Sequence, residues 1–186
     1  MSTAFEPLLT IDDLAAMPDD GNRYEIIEGE LLVSRSPSLT HQSVSINLVL
    51  VLTGYLSQSP IGRIWTTPGV ILSEFSAVIP DLAFVSNERL SQIASSERIT
   101  GPPDLMIEIV SPGAENERRD RIAKRQLYGR YGVREYWVVD PIKRRIEVFC
   151  LDGQALNLRA AYSEQDELTS SVLPGFACKV EMILRS

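Results

Sequence analysis

Between Thr40 and Tyr55 the apolar residues Val44, Leu48, Val51, Leu52 and Tyr55 recur at three- and four-residue steps. That period predicts the longest helix of the chain, opened by Thr40 and closed by Ser57 to Pro60. A second helical pattern runs from about Glu117 to Tyr131 and stops at Gly132. Its apolar stripe is thin: Ile122, Ala123, Leu127, Tyr128 and Tyr131. Two shorter helices fit around these. Thr10, with Asp13 three residues on, caps one that ends near Met17, and Ser86 caps one from about Glu88 to Ile93.

Elsewhere the apolar residues come in short runs bounded by Gly, Pro, Asp and Ser, which is how strands read. Tyr24–Ile27 and Glu30–Val33, split by Glu28-Gly29, form a hairpin pattern with glycine in the tight turn. Further strands are predicted at 62–66, 69–73, 79–85 and within 103–112. A run of antiparallel pieces follows at 135–139, 145–151 and 155–162, turning at Asp140-Pro141 and Asp152-Gly153, before a last apolar segment from Ala177 to Leu184. This order predicts an α/β fold: one mixed β-sheet flanked by helices, ending in a β-meander. The helix between the 103–112 and 135–139 runs predicts a crossover joining two parallel strands.

Length and composition narrow this. At 186 residues, 44% of them hydrophobic, the chain is expected to form one domain, 1–186, with a large core. Met1 to Leu9 carries no basic region followed by an apolar one, so no secretory signal is expected. The strongest apolar run, Ile46 to Leu52, is too short to span a bilayer, so no membrane role is expected. Cys150 and Cys178 lie far apart without C-x-x-C spacing, which points away from a disulfide framework or zinc knuckle and towards a cytoplasmic protein. The net charge of −7 repels nucleic acid at long range, so a nucleic-acid function requires a local basic patch.

The chemistry begins with Glu108. It sits in the apolar run Pro103-Asp104-Leu105-Met106-Ile107-Glu108-Ile109-Val110-Ser111-Pro112, where a carboxylate is costly unless a cation pairs with it or a metal is coordinated. Asp81 stands near the start of a second apolar run, where it also reads as an ordinary turn residue after Pro80. If the two strands pair, both carboxylates converge, and hard oxygen ligands of this kind suit Mg²⁺ or Mn²⁺, with the main-chain carbonyl of Ile109 as a third ligand. His41 is the one histidine, so multi-histidine zinc sites are poorly supported. G-x-S-x-G, G-x-G-x-x-G and G-x-x-x-x-G-K-[ST] are absent. The helix after the Glu108 strand concentrates Arg118, Arg119, Arg121, Lys124 and Arg125. Lys124 lies four residues after Asp120, a spacing that suits a surface ion pair, but the cluster as a whole could contact phosphates.

Several of these stretches, in this order, resemble one bacterial family. They are Tyr24-Glu25-Ile26-Ile27-Glu28-Gly29-Glu30-Leu31, His41 opening a helix, Pro80-Asp81-Leu82, the 103–112 run, Asp120-x-x-x-Lys124-x-x-x-Tyr128, and Val133 to Pro141. From about Ile11 to Phe149 the chain is similar to the Uma-type restriction endonuclease family, a branch of the restriction-endonuclease-like PD-(D/E)XK nuclease superfamily. The resemblance implies that Asp81 is the superfamily's aspartate and Glu108 its second acid. Two positions on, the pattern's lysine is replaced by Val110, and the resemblance implies that Lys124 takes its place. Glu25, Glu28, His41 and Asp120 are accessory candidates, with Glu25 ranked over Glu28 because Glu28 sits at the turn.

The function this implies is a metal-dependent endonuclease with Mg²⁺ (or Mn²⁺) held by Asp81, Glu108 and Ile109 and with Lys124 beside the water. It would hydrolyse phosphodiester bonds, in DNA, with Arg118, Arg119, Arg121 and Arg125 positioning phosphates. The alternative is a non-catalytic module of the same fold that binds nucleic acid or a partner protein. A homodimer is expected, because cutting both strands of a duplex suits two-fold symmetry.

Overall fold

The computed structural model describes residues 8–185, so most of the Met1–Leu9 stretch read above for a signal lies outside the described residues. The chain runs α1 (Ile11–Ala15), β1 (Arg23–Ile27), β2 (Glu30–Ser34), α2 (Leu39–Gln58), β3 (Gly62–Thr66), β4 (Val70–Ser73), β5 (Ser76–Val78) and β6 (Leu82–Ser86). It continues with α3 (Asn87–Ile93), β7 (Ile99–Thr100), β8 (Leu105–Ile109), α4 (Ala114–Arg118), a π-helical turn at Arg119–Lys124 and α5 (Arg125–Tyr131). Last come β9 (Glu135–Asp140), β10 (Arg145–Asp152), β11 (Ala155–Ser163), β12 (Glu167–Thr169), β13 (Ala177–Lys179) and α6 (Val180–Leu184).

The expected α/β class holds, but the strands divide among sheets rather than forming one. The central sheet has the order β11-β10-β9-β8-β6-β3, a second has the order β2-β1-β5-β4-β7, and β12 pairs with β13. Proline explains the largest difference. The 79–85 run does not form one strand, because Pro80 cannot donate to a ladder; β5 ends before it in the second sheet and β6 starts after it in the central one. The C-terminal segment likewise splits into β13 and α6, and the two-residue β7 is too short to leave a period in the sequence. Parallel pairing of β8 with β9, and antiparallel pairing of β9, β10 and β11, match the predicted crossover and meander.

Alternation along β8 sorts its side chains onto two cores. Leu105, Ile107 and Ile109 pack with Val44, Leu48 and Leu52 of α2 and with Ile183 of α6. Met106 and Val110, on the other face, pack with Leu127 and Tyr128 of α5 and with Val70 and Val78 of the second sheet. Glu108 shares the period of Met106 and Val110, so the pleat aims it at α5 and the second sheet.

Local chemistry sets the ends of these elements. Thr10 and Asp13 form the reciprocal cap of α1. Helix α2 starts one turn-residue earlier than expected, because the Ser38 hydroxyl accepts the His41 N–H at 3.2 Å. The β1–β2 turn holds Glu28 and Gly29 at φ of 52° and 86°, the two positive values that a two-residue hairpin requires. Gly132, at φ 88°, ends α5 in the left-handed conformation. The π-turn was not anticipated. It leaves Ile122, expected in the apolar stripe, 46% exposed while Asp120 and Lys124 are buried.

Candidate active site

Register brings the two expected acids together. Leu82 of β6 stands opposite Ile107 of β8, and continuing that antiparallel register by one residue sets Asp81 opposite Glu108. The Ile109 N–H donates to Asp81 Oδ2 at 2.8 Å and His41 Nε2 lies 3.1 Å from the same oxygen. On β1, Arg23 and Glu25 share one face, and Glu25 arrives beside this pair with its Oε1 accepting the Ile79 N–H at 2.8 Å.

Lys124 closes the group from the opposite side. Its ammonium lies 2.9 Å from Glu108 Oε1 and 2.9 Å from Glu25 Oε1, with only 2% of the side chain exposed. The Tyr128 hydroxyl donates to Glu108 Oε1 at 2.8 Å. The π-turn makes this possible: Asp120, Lys124 and Tyr128 all point inward, and Tyr136 donates its hydroxyl to the Asp120 carbonyl at 2.8 Å within that turn. The expected surface pair between Asp120 and Lys124 does not form. Asp120 is buried and bonds Arg119 instead, at 2.9 Å.

The electrostatics are those of crowded carboxylates. Burial pushes the Glu108 carboxyl up to about 8; Lys124 opposes this, while Asp81, Asp120 and Glu25 add to it. Burial also acts against ionised Asp81, but the bonded His41 and the Ile109 N–H outweigh it and leave Asp81 below the usual carboxylate range. Lys124 is held firmly protonated: burial works against its charge, but Glu108, Glu25 and Asp120 surround it.

These side chains form the floor of a recess of about 220 Å³. Its wall is the loop from Ser34 to Ser38 on one side and Ser111-Pro112 on the other, and Arg23, Arg35 and Arg119 also line it. Of the helix arginines expected to bind phosphate, only Arg119 reaches the recess. Arg121 pairs with Asp140 at 2.5 Å and with Glu147, Arg125 lies over the Phe149 ring at 5.2 Å, and Arg118 is exposed. Glu28 stays at the half-exposed turn, paired with Arg130. Arg23, Arg35 and the Tyr128 hydroxyl were missed by sequence reading. The alternation of Arg23 with Glu25 along β1 was the available signal for the first.

The donor set can be tested for a divalent cation on the oxygens themselves. Each carboxylate takes its hydrogen bonds on one oxygen only: Asp81 on Oδ2, Glu108 on Oε1 and Glu25 on Oε1. Among the described residues no hydrogen bond is made to Asp81 Oδ1 or Glu108 Oε2, although Arg23 Nη1 lies 3.6 Å from Asp81 Oδ1. No group of three His, Cys, Asp or Glu side chains among the described residues is arranged as a complete metal cage. Two carboxylates supplemented by a carbonyl and waters is nevertheless the usual Mg²⁺ pattern, and the residues fit it.

The fold is restriction-endonuclease-like, and the sequence comparison gives the family. The family model Uma2, described as "Putative restriction endonuclease", matches residues 11–181, and the chain belongs to that family. A search of curated proteins finds no relative. Among solved structures, a "putative nuclease belonging to DUF820" from Anabaena variabilis shares the fold, with a TM-score of 0.74. The likeness covers 95% of this chain and 97% of that one at 16% identity. No helix among the described residues is long and apolar enough to cross a membrane.

Proposed function

We propose that the chain is a metal-dependent endonuclease that hydrolyses phosphodiester bonds in DNA, with Asp81, Glu108 and Lys124 at its centre. The observation that carries this reading is the burial of Lys124 between Glu108 and Glu25, beside Asp81, at the floor of an arginine-lined recess. Val110, which stands at the position of the superfamily's lysine, packs in the core, and the helix supplies an ammonium to the same carboxylate.

Mg²⁺ or Mn²⁺ would be held by Asp81 Oδ1, Glu108 Oε2 and the Ile109 carbonyl, and when bound supplies charge neutralisation for the phosphate and acidity for a water. The Lys124 ammonium, fixed in a dry site, stabilises negative charge that develops on the phosphoryl oxygens. Tyr128 and Glu25 hold Glu108 and Lys124 in place, and the Ile109 N–H and His41 orient Asp81. A two-fold assembly is part of this reading, and a monomer mass by light scattering would refute it.

The test is cleavage of plasmid, linear and single-stranded DNA with millimolar Mg²⁺ or Mn²⁺. Asp81→Asn, Glu108→Gln and Lys124→Ala are each expected to lower the rate by at least about a hundredfold. Cleavage by Glu108→Gln at the wild-type rate overturns the proposal. The absence of a three-side-chain cage favours one other reading, a nucleic-acid- or protein-binding module. An unchanged melting temperature in millimolar Mg²⁺ or Mn²⁺, with DNA still bound, would decide for that module.

A further inference from the structure

The charges around the recess are layered, and the layering selects a substrate. The acids and Lys124 at its floor are nearly inaccessible, with side-chain exposures of 2–7%. Above them stand three arginines. Arg23 Nη1 is 3.6 Å from Asp81 Oδ1 with the side chain 32% exposed, and Arg119 is held by Asp120 with 18% exposed. Arg35 is exposed and forms no ion pair with a described residue. Of the other helix arginines, Arg121 and Arg125 are engaged elsewhere, as described, and Arg118 is exposed outside the recess, so the basic lining is confined to these three. Beyond its rim a molecule of net charge −7 faces the solvent.

Resting on the phosphodiesterase reading above, we propose that the recess grips a single unpaired nucleic-acid strand through two or three consecutive phosphates, using Arg23, Arg35 and Arg119. Two physical arguments carry this. A duplex presents about one phosphate per 1.7 Å of axis, twice the density of a single strand, so the acidic surface around so small a basic rim penalises the duplex more. The reacting phosphate must also descend to side chains that are almost wholly buried, which a strand free of its complement does without distorting a helix. Among the described residues no Phe, Tyr or Trp lines the recess, so the grip is on the backbone and is indifferent to base identity.

The experiment is fluorescence anisotropy of the full chain, without metal, on a labelled oligonucleotide of mixed sequence, as a single strand and annealed to its complement. Mg²⁺-dependent cleavage of both forms is measured in parallel. The single strand is expected to bind at least about tenfold more tightly, with log K falling against log salt with a slope of about −2, as three phosphate contacts on a single strand imply. Arg35→Ala, an exposed site where folding is not at issue, should weaken single-strand binding several-fold and raise KM while kcat is retained. Arg63→Ala, exposed on β3, should bind as the wild type does. Equal or tighter binding of the duplex, or single-strand binding unchanged in Arg35→Ala, overturns the proposal. If neither form is cut but the single strand binds in an Arg35-dependent way, this inference stands and the catalytic reading fails.

Discussion

Strand β8 carries a carboxylate at each end, and the two behave oppositely. Asp104, just before the strand, is 0% exposed and Glu108, near its end, is 4% exposed, so burial does not distinguish them. Their neighbours do. Asp104 accepts the Ser86 N–H at 2.8 Å and pairs with Arg89 at 3.0 Å and Arg134 at 3.3 Å. Burial raises its pKa, but these donors outweigh burial and the net shift is downward. Glu108 has one ammonium, shared with Glu25, and three other carboxylates nearby, and its pKa goes up to about 8. Asp104 is solved as a structural ion pair, whereas Glu108 is left short of positive charge. A crowded acid of that kind is a site candidate; a satisfied one is a brace.

The largest expected effect on stability therefore belongs to the brace. Asp104→Ala should cost about 2–4 kcal/mol, because it strands the Ser86 N–H and takes the carboxylate partner from Arg89. Without metal, Glu108→Gln should cost little, and at pH 8 it should stabilise, since it removes a charge the site does not balance. Denaturant titration of both variants checks this. Equal losses would dissolve the contrast between the two ends of the strand.

The pH profile sharpens the same contrast. Glu108 has a folded pKa near 8 against an ordinary 4.5, so the folded state holds a proton that the unfolded state has released between these values. Metal-free stability should therefore fall as pH rises from about 4.5 to about 8 and level off beyond. Glu108→Gln should flatten that slope. Asp104 has the opposite sign: its stabilisation is present above the ordinary aspartate pKa and is lost as pH falls through its depressed value. Asp104→Asn should therefore lower the plateau and flatten the acid limb while leaving the slope between about 4.5 and 8 unchanged. A melting series from pH 3 to 9 separates the two. The smallest effect is expected for Tyr128→Phe, about 1 kcal/mol for one hydrogen bond to Glu108, with cleavage reduced but not abolished.

Much of this was readable in the sequence because it depends on local period. The 103–112 run, the long helix and the hairpin follow from alternation or from three- and four-residue steps, whereas the Asp81–Glu108 pair was expected only on condition that their strands pair and from the family resemblance. What failed depended on geometry that leaves no period. Pro80 divided a run into strands of two different sheets, and the π-turn moved Ile122 out and Lys124 in. The arginine rim was misplaced for a related reason: a cluster along the helix is visible as a run of letters, whereas Arg35 reaches the recess only through the path of a loop. Arg121 was unreadable as well, because its partners Asp140 and Glu147 lie on later strands.

The π-turn also decides which sequence changes this protein can tolerate. In a strand, the lysine of the superfamily pattern would keep its face however the neighbouring helix varied. Here the ammonium's position is set by how many residues wind between Asp120 and Tyr128. A residue gained or lost there that the coil does not absorb would turn the lysine by roughly 100° away from Glu108, although Asp81, Glu108 and Lys124 would all still be present. Across diverged copies of this chain, lengths should therefore vary freely in the loops and not at all in that single turn.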